Sequence, residues 1–429
     1  VTQSRLVRMR YAAGGPASQT VGVHLLLRGA VDLGRLREAF LALVERHSIL
    51  RTNYGVSDDD EVFAIVHEDG GPDVFSVAAP TGLVDEGDVR EHANGLFEGI
   101  VDRFKAPDRH SMLQAVVVPH VEGVHSLLLT IDHIAVDERS KALLQRELAE
   151  LYAGRAAGLA RPRAYDPAAV RNEFPGLDES PQVLGLVTPL PPRLFSGLGP
   201  QSPPEAFVPV GAGGALGSEV WGRVGAATRR LRATRFTVHV AALLWALKQF
   251  SGSDDVSLVT AMDTRRTPAD FDTVGFFQNL VLLRSRSPRA AGLAATLAES
   301  RALVRDSLQR RDYPIAALVA RAAAERAGVP CQNPLYQVVL AYAVEDVDLG
   351  WALDGVDVRP VVLEHPQMTC ELLAHLTESA DDTVLDLLGA AGVLAAADLE
   401  RLVALWRDAV AEVTREAVDP PQRACSSSR

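Results

Sequence analysis

The segment Leu129-Thr130-Ile131-Asp132-His133-Ile134-Ala135-Val136-Asp137-Glu138-Arg139-Ser140 carries the most chemically suggestive spacing in the chain. An apolar run that reads as a strand delivers His133 to its end; the chain then turns and opens a helix. A histidine so placed is held by a strand ladder on one side and open to a cavity on the other. Its imidazole, with an ordinary pKa near 6.5, can take a proton from an attacking amine or hydroxyl, or orient that group. Asp137 lies past the turn, where a carboxylate can pin the loop through a buried ion pair with an arginine. HxxxD spacing also recurs by chance, and for this segment alone a satisfied, half-buried histidine near a helix start is the plainer reading.

Other short stretches accompany it in a fixed order. They are Arg46-His47-Ser48-Ile49-Leu50-Arg51-Thr52, then Tyr165-Asp166 with Ala168, then Val274-Gly275-Phe276-Phe277-Gln278-Asn279 with Leu283-Arg284 behind it. Arg311-Asp312-Tyr313-Pro314 and Asn333-Pro334-Leu335-Tyr336-Gln337-Val338 follow. Together these resemble the RHxxLRT, YxDFA, GxFVNT, QDYPF and NPLFQV motifs of nonribosomal peptide synthetase condensation domains. The His133 segment resembles the HHxxxDG motif of the same family, and Gln3 and Arg5 weakly echo its SxAQxR motif. The resemblance runs over nearly the whole chain, and the joint pattern is specific although each piece is short.

The resemblance implies an α/β fold of two chloramphenicol-acetyltransferase-like lobes, a V-shaped pseudo-dimer with a central tunnel that carrier-protein phosphopantetheine arms enter from opposite faces. It implies acyl transfer from a carrier-bound thioester to an amine or hydroxyl acceptor, with His133 at the tunnel midpoint as general base or as the group that orients the nucleophile. Asp137 then has a structural role, with Arg51 as its candidate partner and Arg284 as the alternative. Such a buried pair fixes geometry more than it adds net stability. Gly275 would allow close backbone approach beside the tunnel. Phe276 and Phe277 read as core. Asn279 and Gln337 are polar residues on apolar strands; they either orient a pantetheine or acyl group or are satisfied within the strands. Ser140 and Tyr336 join the candidate substrate contacts. No metal and no bound cofactor is implied. The expected partners are a peptidyl or acyl carrier protein, as donor and in some cases also as acceptor, and a small amine or alcohol.

The chain departs from the family at two motif positions. Asp132 replaces the first histidine of HHxxxDG, and Glu138 replaces its glycine. Neighbouring strand residues point to opposite faces, so Asp132 is expected to support the loop from behind rather than pair with His133. Glu138 could narrow the tunnel, bind a cationic acceptor or swing into solvent. Two further readings follow. Asp132, Asp137 and Ser140 fit the DxxxxDxxS signature of heterocyclisation domains, although the 274–284 and 333–338 segments look like condensation domains. Some family members with altered motifs are non-catalytic platforms that recruit a tailoring enzyme to a carrier-bound peptide, against which the retained His133 argues.

These residues need elements to hold them. Val21 to Leu27 reads as a strand and Leu33 to His47 as a helix capped by Asp32, with Leu36, Phe40, Leu43 and Val44 on one face. Glu61 to His67 is a second strand. Met112 to Val118 and His125 to Ile131 form a hairpin about Val121-Glu122-Gly123, and a helix from about Arg139 to Tyr152 follows. A proline-rich stretch, from Pro167 to Pro204, interrupts the pattern. It suggests an N-terminal lobe over 1–174, a linker over 175–205 and a C-terminal lobe over 206–429. In the second half, helices are expected at 234–250, 293–309 and 397–414. Strands are expected at 256–261, 275–283, 338–343, 370–376 and 383–388. There is no repeat at a period of about 20–50 residues.

Bulk properties narrow the classes. The chain has 429 residues, 47% hydrophobic and 23% charged, with a formal net charge of −12. Its length favours two lobes. A net acidic chain lacks the clustered basic face of a nucleic-acid binder; small basic patches such as Arg229 to Arg235 are candidate docking sites for a carrier protein, with a solvated helix face as the plainer reading. No apolar run approaches the roughly 18 residues of a membrane span, and no apolar segment follows the basic start as in a signal peptide. Cys331, Cys370 and Cys425 lack CxxC spacing, which speaks against structural zinc and a disulfide framework. A reducing cytoplasm fits. Neither a carrier-domain serine motif nor an adenylation signature is present, so a free-standing enzyme and an excised domain both stay open, the closing helix and short polar tail favouring the former.

Overall fold

In a computed structural model of the chain, the structure describes residues 20–57, 59, 61–69, 71, 74–103, 111–165, 187–195, 202, 208–313, 315–327, 333–344, 351–361, 363 and 370–418. Gln3, Arg5, Asp166, Ala168, Pro314, Cys331, Cys425 and most of the 175–205 stretch lie outside the described residues.

The elements, in chain order, are β1 (Thr20–Arg28), α1 (Leu33–Arg46), β2 (Thr52–Val56), β3 (Val62–Val66), β4 (Phe75–Val77), α2 (Glu86–Arg103), β5 (Leu113–Pro119), β6 (Val124–Asp132) and α3 (Glu138–Tyr152). There follow β7 (Pro209–Ala215), α4 (Ser218–Leu231), α5 (Arg235–Ser251), β8 (Val256–Asp263), the single turn α6 (Pro268–Phe271), β9 (Gln278–Ser285), α7 (Gly292–Gln309) and α8 (Ile315–Glu325). The last are β10 (Val338–Val344), β11 (Asp357–Val361), β12 (Leu372–Glu378), β13 (Thr383–Ala390) and α9 (Ala396–Val418).

The described residues fall into two compact units. One takes those of Val1–Asn172, Asp263–Gln278 and Asp346–Gln367, the other those of Glu173–Met262, Asn279–Glu345 and Met368–Arg429. The division expected from the prolines is contiguous, whereas here 263–278 and 346–367, both from the second half of the chain, belong to the first unit. The physical reason for the second of these is a strand pairing: β11 runs antiparallel along β1, with Leu26 opposite Arg359.

The first unit is built on a five-stranded sheet of order β11-β1-β6-β5-β4, with β2 and β3 forming a separate ribbon. β5 and β6 are an antiparallel hairpin in which Ala115 faces Leu129. Gly123, at φ 73, supplies the left-handed residue of their turn. β6 also pairs with β1, Val23 facing Leu129, so β6 is an interior strand and every residue from Ser126 to Asp132 is buried. Asp32 caps α1 by accepting a hydrogen bond from Arg35 N at 3.0 Å. Phe40, Leu43 and Val44 of α1, Leu144 and Leu148 of α3, and Leu127, Leu129 and Ile131 of β6 share one core. Each such buried side chain contributes about 1.5–3 kcal/mol relative to exposure.

The second unit carries a six-stranded sheet of order β7-β13-β12-β10-β8-β9. β10 is parallel to β12 and β8, while β12–β13 and β13–β7 are antiparallel. Its core packs α5 and α9 on this sheet, with Trp406 fully buried beside Leu243, Leu244 and Leu385. Among the described residues no helix is long and apolar enough to cross a membrane. The expected strand over 275–283 begins instead at Gln278. The backbone of Phe277 is engaged elsewhere: its N–H donates to Asp137 Oδ2 at 2.9 Å, and its carbonyl accepts from Thr264 N at 2.7 Å.

Two fully buried histidines make the fold sensitive to acid. His24 on β1 bonds through Nε2 to Ser126 Oγ at 2.8 Å, and burial, helped by nearby His120, pushes its pKa down to about 4. Burial likewise pushes His239 on α5 down to about 4. Both rings are neutral in the fold, below the ordinary value of 6.5. The stability that neutrality protects is therefore intact above about pH 6.5 and is lost as the pH falls toward 4. At pH 5 each ring should cost about 2 kcal/mol. Urea denaturation at a series of pH values measures this, and His239→Leu should flatten the slope; an unchanged slope would mean that His239 is not the titrating group.

Candidate active site

β6 ends at Asp132, and the chain turns at once. Asp132 is fully buried, and its Oδ1 accepts from Ile134 N at 2.9 Å while its carbonyl accepts from Ala135 N at 2.9 Å. The aspartate thus bonds the turn from inside, leaving His133 as the first residue past the strand. His133 is half-buried. Its Nδ1 lies 2.8 Å from Val136 O. A carbonyl can only accept, so Nδ1 carries the ring proton and Nε2 is the unprotonated nitrogen of the neutral ring. The edge of the Phe276 ring pair stands at 5.6 Å between centroids and 81° between planes, which limits how the imidazole can rotate. On Nε2, Gln278 brings its amide nitrogen to 3.4 Å.

Asp137 opens α3 as its N-cap, Oδ1 accepting from Ser140 N at 2.8 Å. Its partner is Arg265, on the segment between β8 and α6. Arg265 Nη1 reaches Asp137 Oδ2 at 2.7 Å and Nη2 reaches Oδ1 at 3.0 Å, a two-pronged pair with side chains 1% and 4% exposed. The arginine also donates to Asp270 O at 2.9 Å and Ser140 Oγ at 3.0 Å, and its guanidinium lies 4.2 Å over the Phe277 ring. Asp137 Oδ2 takes the Phe277 N–H as well. One ion pair therefore anchors three things: the start of α3, the 263–265 strand exit and the 275–277 loop that carries Phe276 and Gln278.

This corrects the expected pairing. Arg51 donates to His67 O, at the end of β3, and Arg284 is held by Asp255 at 2.7 and 2.5 Å and by Pro189 O at 2.6 Å. Each is spent locally, and Arg265 carries no spacing signal that distinguishes it from Arg266 beside it. The other motif residues mostly serve the framework too. Arg46 and His47 both bond Glu147 Oε2, at 2.8 and 3.0 Å, tying α1 to α3. Burial opposes ionisation of Glu147, but these hydrogen bonds outweigh it and hold its carboxyl below the ordinary range.

Several candidate substrate contacts are likewise engaged within the protein. Ser140 is fully buried; its hydroxyl donates to Gly275 O at 2.8 Å and accepts from Gly275 N at 3.0 Å. Gly275 is glycine because a Cβ there would stand 2.0 Å from the Tyr165 ring. Tyr165 in turn donates to Phe276 O at 2.8 Å and stacks edge-on against Phe277, and burial pushes its hydroxyl well above the ordinary range. Asn279 donates to Arg311 O at 2.9 Å and Tyr313 O at 2.6 Å. Gln337 accepts from Leu194 N at 2.7 Å and donates to Glu371 Oε1 at 3.1 Å. Tyr336 packs half-buried against the cluster around Tyr313, and Glu138 is exposed, 2.5 Å from Lys141. What remains is the His133 ring, with Phe276 against it and Gln278 at its Nε2. Phe277 lies in the core as expected, and Phe276 is buried too, with its ring edge-on to His133.

Comparison with known proteins agrees with this fold. No protein-family model matches the chain. Tyrocidine synthase 2 of Brevibacillus parabrevis is 25% identical over 395 residues, 90% of this chain but 10% of that synthase. The chain thus spans about a tenth of the length of this curated relative. The condensation domain from the monacolin K polyketide synthase MokA superposes with a TM-score of 0.74 at 18% identity, covering 98% of this chain and 97% of the other. The X-domain in its complex with OxyB from teicoplanin biosynthesis gives a TM-score of 0.71 at 20% identity, over 97% and 93%. The chain has the mixed α/β fold of the condensation domains, proteins of two chloramphenicol-acetyltransferase-like lobes, and its sequence relatives are nonribosomal peptide and hybrid polyketide–nonribosomal peptide synthetases.

Breaking the Asp137–Arg265 pair from either side leaves a buried charge without its partner. Arg265→Ala and Asp137→Ala should each lower unfolding free energy by about 3–5 kcal/mol, and the double variant by much less than their sum. Arg51→Ala and Arg284→Ala should show no coupling to Asp137→Ala. Gly275→Ala should cost about 1–3 kcal/mol through the Tyr165 ring, and part of that loss should return in Tyr165→Leu. Urea denaturation reads all of these, and additive losses at 137 and 265 would contradict the pairing.

Proposed function

We propose that the chain performs condensation-type acyl transfer, moving an acyl group from the phosphopantetheine thioester of a carrier protein to an amine or hydroxyl acceptor in nonribosomal peptide biosynthesis. The observation that carries this reading is the His133 ring, whose Nδ1 is committed to Val136 O at 2.8 Å and whose Nε2 is therefore the nitrogen able to take a proton. The acceptor nitrogen or oxygen attacks the thioester carbonyl, and its proton goes to His133 Nε2. The tetrahedral intermediate collapses with cleavage of the C–S bond, and the proton passes from Nε2 to the departing thiolate. Holding donor and acceptor together supplies much of the rate, because well-oriented partners react at effective concentrations far above those in solution.

A second reading has its own support. Asp132 and Glu138 replace a histidine and a glycine of the HHxxxDG pattern, and the teicoplanin X-domain, a fold relative, is found in complex with OxyB. In that reading the chain is a platform that recruits a tailoring enzyme. Heterocyclisation has less behind it: Ser140, which completes the DxxxxDxxS pattern, is fully buried and bonded to Gly275 and Arg265.

Intact-protein mass spectrometry of an acyl-loaded carrier protein, incubated with the chain and a panel of amines and alcohols, separates the three. Condensation predicts loss of the acyl load and an acyl–acceptor product, both abolished in His133→Ala. A further loss of water would indicate cyclisation. No turnover with retained carrier binding would favour the platform.

A further inference from the structure

We propose that Gln278 is a positioning residue for His133, an amide that engages the ring's Nε2 in both of its protonation states. The inference rests on the acyl-transfer reading above and deepens it. In the pattern GxFVNT, the place after the second aromatic position holds an aliphatic valine; in Gly275-Phe276-Phe277-Gln278-Asn279 that place is Gln278. A valine can neither donate nor accept. The glutamine puts its amide nitrogen 3.4 Å from His133 Nε2. That is the long end of a hydrogen bond, as is common at unliganded catalytic groups, and a small side-chain movement closes it.

Both partners are held. His133 is tied at Nδ1 to Val136 O and flanked by Phe276. The backbone just before Gln278 is clamped from three sides, Phe277 N on Asp137 Oδ2 and Phe277 O under Thr264 N at 2.7 Å and Thr264 Oγ1 at 2.6 Å. The terminal torsion of a glutamine is broad and roughly two-fold. In the neutral ring, Nε2 is a lone pair and the amide N–H donates to it. The incoming nucleophile displaces the amide from that single lone pair, and once Nε2 has taken its proton the amide turns its Oε1 to accept until the proton passes to the departing thiolate. A half-turn of one side chain thus follows the proton, so that neither state of the ring is left unbonded. The same contact fixes the direction in which Nε2 points.

The test does not depend on turnover. In the full chain labelled with [15N]histidine, long-range proton–nitrogen correlation spectra report the bonding of each ring nitrogen, with His133→Gln used to assign the signals. Gln278→Met keeps the length of the side chain and removes the amide. The expected result is that the Nε2 resonance of neutral His133 moves downfield, toward that of an unbonded nitrogen, while Nδ1 stays in place and thermal stability is unchanged. Identical Nε2 resonances in the two proteins would overturn the proposal, and so would equal movement of both nitrogens, which would mean the ring had been displaced as a whole. As a second variant, Gln278→Glu offers an acceptor only, and His133 should then stay protonated to higher pH; an unmoved titration would count against the contact. If the chain turns over, Gln278→Met should lower kcat about tenfold with little change in KM. If wild type shows no turnover and the Nε2 resonance still moves, the acyl-transfer reading fails and the Gln278 contact stands.

Discussion

The site hangs on one buried charge pair. Asp137 and Arg265 are 128 residues apart in sequence, yet four of their atoms meet in a closed fork at 2.7 and 3.0 Å. Two ions removed from water are costly, and such a pair adds little net stability over a well-packed apolar substitute. What it adds is direction. Asp137 caps α3 with one oxygen and holds the Phe277 N–H with the other, while Arg265 spends its remaining donors on Ser140 and Asp270. Each bond satisfies a group that would otherwise be buried without a partner, so the loop holding Phe276 and Gln278 cannot shift without leaving polar atoms exposed to a medium that cannot solvate them.

The His133 ring is positioned by subtraction. β6 is paired on both edges by β1 and β5, and its last residue turns inward to bond Ile134 N. The next residue has no ladder left to join. His133 is therefore outside the sheet yet next in sequence to a strand paired on both edges. The Asp132 that stands in place of a histidine can perform this role because it requires only a hydrogen-bond acceptor one residue before the ring. Conversely, Glu138 on the first turn of α3 points to solvent beside Lys141, and a carboxylate near a helix N-terminus is electrostatically welcome there.

Local pattern carried much of this into the sequence. Periodicity located α1, α3, α5, α7 and α9, and alternation with a glycine turn located the β5–β6 hairpin, because these signals are contained within a few residues. Edge and Gly-rich elements escaped. β7, Pro209–Ala215, is mostly glycine and alanine, and the reason lies elsewhere in the chain: a Cβ on Gly214 would meet Val403 and Arg407 of α9 at 2.8 Å. β4 and β11 are short strands on the outer edges of their sheet, where partners rather than composition define them. At the site, the family pattern pointed to His133 and Asp137, but a single sequence holds no information on which of many arginines lies opposite a given aspartate. For the same reason the sequence leaves open whether Asn279 and Gln337 orient a ligand or are satisfied within the fold; their hydrogen bonds, like those of Ser140, go to protein groups.

The pairing of β11 with β1 has a consequence for synthesis. β6 can cover one edge of β1 about a hundred residues later in synthesis, within seconds of elongation. Its other edge waits for Asp357–Val361. Until then β1 presents an open row of backbone donors and acceptors, the arrangement that invites a neighbouring chain on a polysome to pair in its stead. The sheet of the first unit is thus completed only when a segment from the second half of this chain has been made.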